Sequence, residues 1–259
     1  MENQESWRID RESVHWKILN GWLTEPFEKW LEQTANKYRI TEKDLLLGIA
    51  ESIRKISYQT ILILKEQTGQ ETLIPPFIIS PNPGGEIAAI SLVILNRDKP
   101  DSCFNRSETF KEIGPFVCLA IILREIRETI ARIAGGLVTF GSANDILVAY
   151  HYVLVEEAIN DYLTNQRSDN YYILIRTVIE ETLHYFDWQN NQTLMKQFSQ
   201  EGKELTQNIS DFDEKLRIGQ ELEEKYGFKK RVREIFEILK NKEDLFSPLL
   251  ERTKKDASL

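Results

Sequence analysis

The chain predicts a mostly helical α+β protein: one β-hairpin near residues 72–96 and a central buried antiparallel helix pair. Three observations carry this expectation. Long segments repeat apolar residues at helical spacing, the two β-prone runs "TLIPPFIIS" and "EIAAISLVIL" flank the turn-forming "PNPGG", and the break "QRSDN" is too short for anything but a tight connection between two long apolar segments. The expected organisation is an N-terminal helical region with the hairpin, residues 1–140, and a C-terminal helical region, residues 141–259, that holds the chemistry.

The first thirty residues carry four of the five tryptophans, Trp7, Trp16, Trp22 and Trp30, which read as an aromatic mini-core docking the N-terminal helices. "EPFEKWLEQTANKY" places Phe27, Trp30 and Leu31 on one helical face. Thr41 followed by Asp44 is an N-cap with an acid at the third helical position, opening "EKDLLLGIAESIRKISYQTILILKEQ", which Gly69 ends as a C-cap. After the β-prone runs and the loop "NRDKPDS", helix is expected again over "SETFKEIGPFVCLAIILREIRETIARIAGG", kinked at Pro115 and stopped by Gly135 and Gly136.

Ser142 is the expected cap of a further helix, "ANDILVAYHYVLVEEAINDYLTN", apolar on nearly all sides from Ile146 to Val155 as a buried helix is. "YYILIRTVIEETLHYFDW" pairs with it across "QRSDN". From Gln192 onward the chain is more polar: "TLMKQFSQEGKEL", "DEKLRIGQELEEKYG" with Gly227 as its stop, "KKRVREIFEILKNK", and a last helix opening at Ser247-Pro248. There is no internal repeat and no low-complexity tract.

Charge narrows the function. The net charge is −8, and between Gly141 and Asn190 eight acids (Asp145, Glu156, Glu157, Asp161, Asp169, Glu180, Glu181, Asp187) stand against two bases, Arg167 and Arg176. The basic run "KKRVR", Lys229 to Arg233, lies among Glu221, Glu223, Glu224, Glu234 and Glu237 and reads as a solvated helix face, so no nucleic-acid partner is expected. Cys103 and Cys118 are too few for a disulfide scaffold. No apolar run reaches the roughly 20 residues that span a bilayer, and no signal peptide is visible, so the expected setting is cytoplasmic, away from membranes.

Ionisable residues converge at one place, "VIEETLHYFDW", Val178 to Trp188. Glu180 and Glu181 lie one helical turn before His184, and carboxylates crowded on a buried face need a cation, shared protons or water. His151 counts back from the connection about as far as His184, so the two are expected opposite one another, with Glu156 and Glu157 nearer the connection.

"EETLH" resembles the HExxH helix of zincin metallopeptidases, with Glu180 standing where the first histidine should be. "LHYFDWQNN" looks like the stretch after that helix in lethal-factor-like gluzincins. "REIFEILKNKEDLFSPLLERTKK" is similar to their downstream helix E-x-F-A-E-x-F. The resemblance covers about 80 residues. It implies a metal-dependent hydrolase acting on a protein or peptide: Glu180, His184 and Glu234 as metal ligands, Glu237 as a weaker ligand candidate, and Glu181 as the general base that takes a proton from a metal-activated water. Tyr150, Tyr152 and Tyr185 are candidates for donating to the oxyanion. Zinc is the expected ion, and two carboxylates with one imidazole suit manganese or iron as well.

Three other readings compete. A ferritin-like di-metal bundle would use Glu181-x-x-His184, but Val148 stands where His151 needs its glutamate. An all-helical nucleotide pyrophosphohydrolase would bind magnesium through "EEAIND" and "EETLHYFD", where Asn160 and His184 replace two of the four carboxylates. A non-catalytic scaffold, including a pseudoenzyme of the first class, would instead expose an apolar patch near the N-terminal tryptophans.

Overall fold

The computed structural model describes residues 7–11, 16, 19–20, 23, 25–75, 77–80, 89–94, 145–164, 169–240 and 245–254. Among them are eight helices of eight residues or more and one three-stranded sheet, so the chain is mostly helical α+β. The expected helix through Pro115, the turn at "PNPGG", the Ser142 cap, Trp22, Cys103, Cys118 and His15 lie outside the described residues.

Helix α1, Glu25–Tyr38, buries Phe27, Leu31, Thr34 and Ala35, one stripe of a 3.6-residue period. It stops at Arg39, which adopts a left-handed φ of 56° while the Ile40 N–H returns to the Ala35 carbonyl at 3.0 Å. Helix α2, Glu42–Thr68, has both expected caps: the Thr41 hydroxyl accepts from the Asp44 N–H at 3.1 Å, and Gly69, at φ 72°, donates to the Lys65 carbonyl at 2.8 Å.

Most of α2 is buried on every side, from Leu45 through Leu64, which makes it an axis of the molecule. It packs against α4, Asp169–Asn190, where the Thr182 hydroxyl meets the Ser57 hydroxyl at 3.0 Å. It also packs against α8, Ser247–Lys254, which approaches so closely at Gly48 that a Cβ there would stand 2.9 Å from the Leu249 Cα.

Buried polar groups on α2 tie down the N-terminal segment. Glu51, with 1% of its side chain exposed, accepts from Arg8 Nη1 at 3.0 Å, from the Ile9 N–H at 3.1 Å, and from Arg252 Nε and Nη2 at 3.2 and 3.0 Å. Arg54 donates to the Trp7 carbonyl at 2.9 Å, and Trp7 takes the Arg8 guanidinium over its ring at 4.3 Å. Trp7 and Trp16 are each only 7% exposed, which fits the expectation that the N-terminal tryptophans dock rather than display.

The sheet departs from the sequence-based expectation. Strand β1, Phe77–Ser80, and β2, Ala89–Ile94, do not pair with each other. Both pair with β3, Asp145–His151, in the order β1-β3-β2. β3 runs parallel to β1, with Phe77 opposite Val148 and Ser80 opposite His151, and antiparallel to β2, with Ala89 opposite Tyr150. The two β-prone runs are therefore flanking strands rather than a hairpin. The run expected to begin a buried helix at residue 143 is the central strand, and helix α3 covers only Tyr152–Leu163. The reason is that a strand with a partner on each edge reads as a continuous apolar run, as a buried helix does. The β-branched and aromatic content of "DILVAYH" favours the strand.

α3 and α4 form the expected central antiparallel pair, with Tyr162 stacked on Tyr171 at 5.9 Å beside the connection. The chain then runs through α5, Gln192–Thr206, α6, Phe212–Lys225, and α7, Phe228–Leu239. One continuous apolar cluster extends from Trp16 to Leu249 and draws on both halves of the chain. Each fully buried aliphatic side chain in it contributes roughly 1.5–3 kcal/mol. No helix of the described residues is long and apolar enough to cross a membrane.

Candidate metal centre

Helix α4 is built on apolar positions, Leu174, Ile175, Val178, Ile179, Leu183 and Phe186, all 0–1% exposed. That packing pins the helix rotation and leaves Glu181 and Asp187 buried, with Glu180 and His184 only partly exposed. Four of them form a line along the helix: Glu180, Glu181, His184 and Asp187. Asp187, 3% exposed, is matched by Arg231 of α7 in a two-pronged ion pair at 2.6 and 3.3 Å. Thr182 is satisfied by Ser57 and by the Val178 carbonyl. The remaining three residues, Glu180, Glu181 and His184, lie together and meet a partner from α6.

That partner is Glu223. Ile218 and Leu222 anchor α6 in the core, and Glu223 follows immediately, with 13% of its side chain exposed. At the end of α6, Gly227 in the left-handed conformation (φ 79°) reverses the chain, so that Phe228 opens α7 beneath the His184 ring. The two ring centres are 5.0 Å apart and perpendicular, and Phe198 of α5 lies 6.1 Å away on a tilted plane.

Glu180, His184 and Glu223 each offer a donor atom, and these atoms all lie within 4.8 Å of one another. Among the described residues this is the one group of three or more His, Cys, Asp or Glu so arranged. His184 Nε2 is 3.1 Å from Glu223 Oε1 without the alignment of a hydrogen bond, and both Nε2 and the other Glu223 oxygen, Oε2, are buried with no hydrogen-bond partner. On the opposite side of the ring, Nδ1 is 3.8 Å from Glu181 Oε2.

The electrostatics follow from crowding. Burial raises the Glu180 carboxyl to about 7, helped by the negative charges of Glu181 and Glu223 and opposed by His184 and Lys229. Burial works against charge on His184, but the Glu181 and Glu223 carboxylates overcome it and hold the imidazole well above its usual 6.5. Three carboxylates around one imidazole leave an excess of negative charge, which a divalent cation would offset. Oxygen, nitrogen and oxygen donors suit zinc, manganese and iron alike. The residues therefore fit a metal ion and do not select which one.

The sequence-derived residues separate into those the fold brings together and those it does not. Glu180 and His184 are both in the trio, and Glu181 adjoins it. Glu234 is on the outer face of α7, with 55% of its side chain exposed and Lys230 at 3.9 Å, and Glu237 is likewise exposed beside Lys240. The third donor is Glu223, hidden within the charged run "ELEEKYG". In the sequence it stands directly after Leu222, which with Ile218 four residues earlier is buried, and nothing else distinguishes it from the neighbouring glutamates.

His151, Glu156 and Glu157 are not part of the trio. His151 ends β3, stacks on Tyr152 at 5.2 Å, and is held below its usual range by burial. Glu156 Oε1 is buried without a hydrogen-bond partner, and burial with Glu157 alongside raises its carboxyl to about 7. Of the three tyrosines, Tyr150 is buried, which raises its phenol well above 10, and the nearby Glu181 charge adds to the shift. Compared with known proteins, the chain matches no family model, no curated protein and no solved structure.

Proposed function

We propose that this protein is a metal-dependent hydrolase whose ion is held by Glu180, His184 and Glu223. The observation that supports this reading is the convergence of three donors from two helices within 4.8 Å, with His184 Nε2 and Glu223 Oε2 buried and without a hydrogen-bond partner. Leaving such atoms unsatisfied costs roughly 1–3 kcal/mol each, so the fold maintains the arrangement at a cost that bound metal would offset. When bound, the ion would supply Lewis acidity and a water activated near neutral pH.

The chain's own contributions are distinct. Glu180 and Glu223 supply negative charge from two different helices, His184 would supply a neutral nitrogen once the ion displaces its proton, and the Phe228 and Phe198 rings keep bulk water from the imidazole. A protein or peptide substrate is the class that the "EETLH" resemblance implies, and it belongs to this proposal. Glu223 replaces Glu234 as the third ligand, because a side chain more than half exposed on the outer face of α7 does not converge with the other two.

The decisive experiment is metal content by mass spectrometry after exposure of purified protein to zinc, manganese and iron in turn. Wild type should hold close to one ion per chain. His184→Ala and Glu223→Gln should lose it, and Glu234→Gln should keep it. Wild type that is folded and takes up none of the three ions refutes the reading. A metal-loaded protein that cleaves neither labelled casein nor a peptide library would retain the metal centre and remove the hydrolase assignment.

A further inference from the structure

Resting on the metal-binding reading above, we infer that Glu181 is a positioning residue: it holds the proton of His184 on Nδ1 and thereby presents Nε2 to the ion. The two ring nitrogens face different carboxylates. Glu223 Oε1 is 3.1 Å from Nε2, and Glu181 Oε2 is 3.8 Å from Nδ1. The second distance is that of an ion pair rather than a hydrogen bond, and a shift of about 1 Å in a carboxylate one helical turn away would close it.

Helix geometry explains the split. Successive residues on a helix point about 100° apart, so Glu180 and Glu181 leave the helix in different directions. Glu180 joins His184 and Glu223 in the donor trio. Glu181, with 9% of its side chain exposed, also lies near Tyr150 on β3, itself 1% exposed. Glu181, beside Nδ1 and near Tyr150, therefore stands on the core side of the imidazole.

This places Glu181 differently from the general base that the "EETLH" resemblance implies. A base must come within hydrogen-bond reach of the water it deprotonates, and that water would lie on the Nε2 side of the ring. A carboxylate at the non-coordinating nitrogen of a metal-bound histidine instead fixes tautomer and ring angle. Losing it typically weakens metal binding 10–100-fold. The perpendicular Phe228 ring holds the imidazole's plane and has no acceptor for Nδ1, so that task falls to Glu181.

The two roles separate in a measurement without substrate. Zinc affinity is determined by competition with a chromophoric chelator for wild type, Glu181→Gln and Glu181→Ala, with circular dichroism confirming that each is folded. A positioning role predicts 10–100-fold weaker zinc binding in Glu181→Ala and a smaller loss in Glu181→Gln, whose amide oxygen still accepts from Nδ1–H. A base predicts unchanged affinity in both, and zinc binding within twofold of wild type overturns the inference.

Should the alanine variant not fold, 15N spectra of histidine-labelled wild type decide. With only His15, His151 and His184 in the chain, His184→Ala assigns the resonance, and zinc-loaded protein should show Nδ1 protonated and Nε2 metal-bound. Zinc on Nδ1 overturns the inference. Wild type that binds no zinc removes the metal reading itself, an outcome distinct from either.

Discussion

Replacing Glu51 by glutamine tests how the N-terminal segment and α8 are held to the core. The carboxylate is 1% exposed and receives Arg8, Arg252 and the Ile9 N–H, so the change removes the charge on which two guanidiniums converge and turns an amide N–H toward one of them. Breaking a buried ion pair costs about 3–5 kcal/mol. The Arg8 and Arg252 side chains retain 30% and 22% exposure and recover part of their hydration, which brings the expected loss to about 3 kcal/mol. For a chain of this size that corresponds to a fall in Tm of about 6–12 °C. Urea unfolding followed by circular dichroism at neutral pH should show the midpoint falling with an unchanged slope, and trypsin should cut faster after Arg8. A loss below about 1 kcal/mol would refute the reasoning, because it would mean that the cluster behaves as a surface ion pair.

Other perturbations follow from the same structure. Gly48→Ala would place a Cβ 2.9 Å from the Leu249 Cα, so α8 must shift, at a cost of about 1–3 kcal/mol measurable by thermal melting. Asp187→Asn leaves Arg231 facing a neutral amide on a 3%-exposed site and should lower stability by about 2–4 kcal/mol in urea titration; a loss as small as that of an exposed pair contradicts the burial argument. In metal-free protein, Glu180 binds its proton more tightly folded (about 7) than unfolded (4.5). Its contribution is thus fully present below pH 4.5 and lost as pH rises through 7, and His184, raised above 6.5, changes in the same direction. Wild-type stability should therefore fall by roughly 3 kcal/mol from Glu180 between pH 4.5 and 8, and Glu180→Gln should flatten that slope; an equally steep profile in the variant rejects the assignment.

What could be read from the sequence was local. The Thr41 and Gly69 caps and the Gly227 stop each depend on a few neighbouring residues, and all three are where chain chemistry places them. What could not be read was pairing. "DILVAYH" has one composition whether it lies inside a helix bundle or between two strands, and only β1 and β2 on its two edges decide the matter. The same holds at the candidate metal centre. Glu180 and His184 share a helix face and were legible as a pair, whereas Glu223 is brought in by the packing of α6 and gives no stronger signal than Glu221 or Glu224 on either side of it. Glu234 lay within a family-like motif, but the buried stripe of α7, Val232, Ile235, Phe236 and Leu239, turns it outward.

The position of β3 between β1 and β2 also bears on how the chain reaches its native state. Phe77 and Val148, about 70 residues apart in the chain, must meet before the parallel edge can form, and closing a loop of that length costs entropy that local helix formation does not. Helices α4 to α7 follow one another with short connections and can assemble from neighbours alone. Refolding should therefore proceed in two kinetic stages, with helical signal recovered early and the environment of Tyr150, which sits on the strand that must wait for its partners, recovered late.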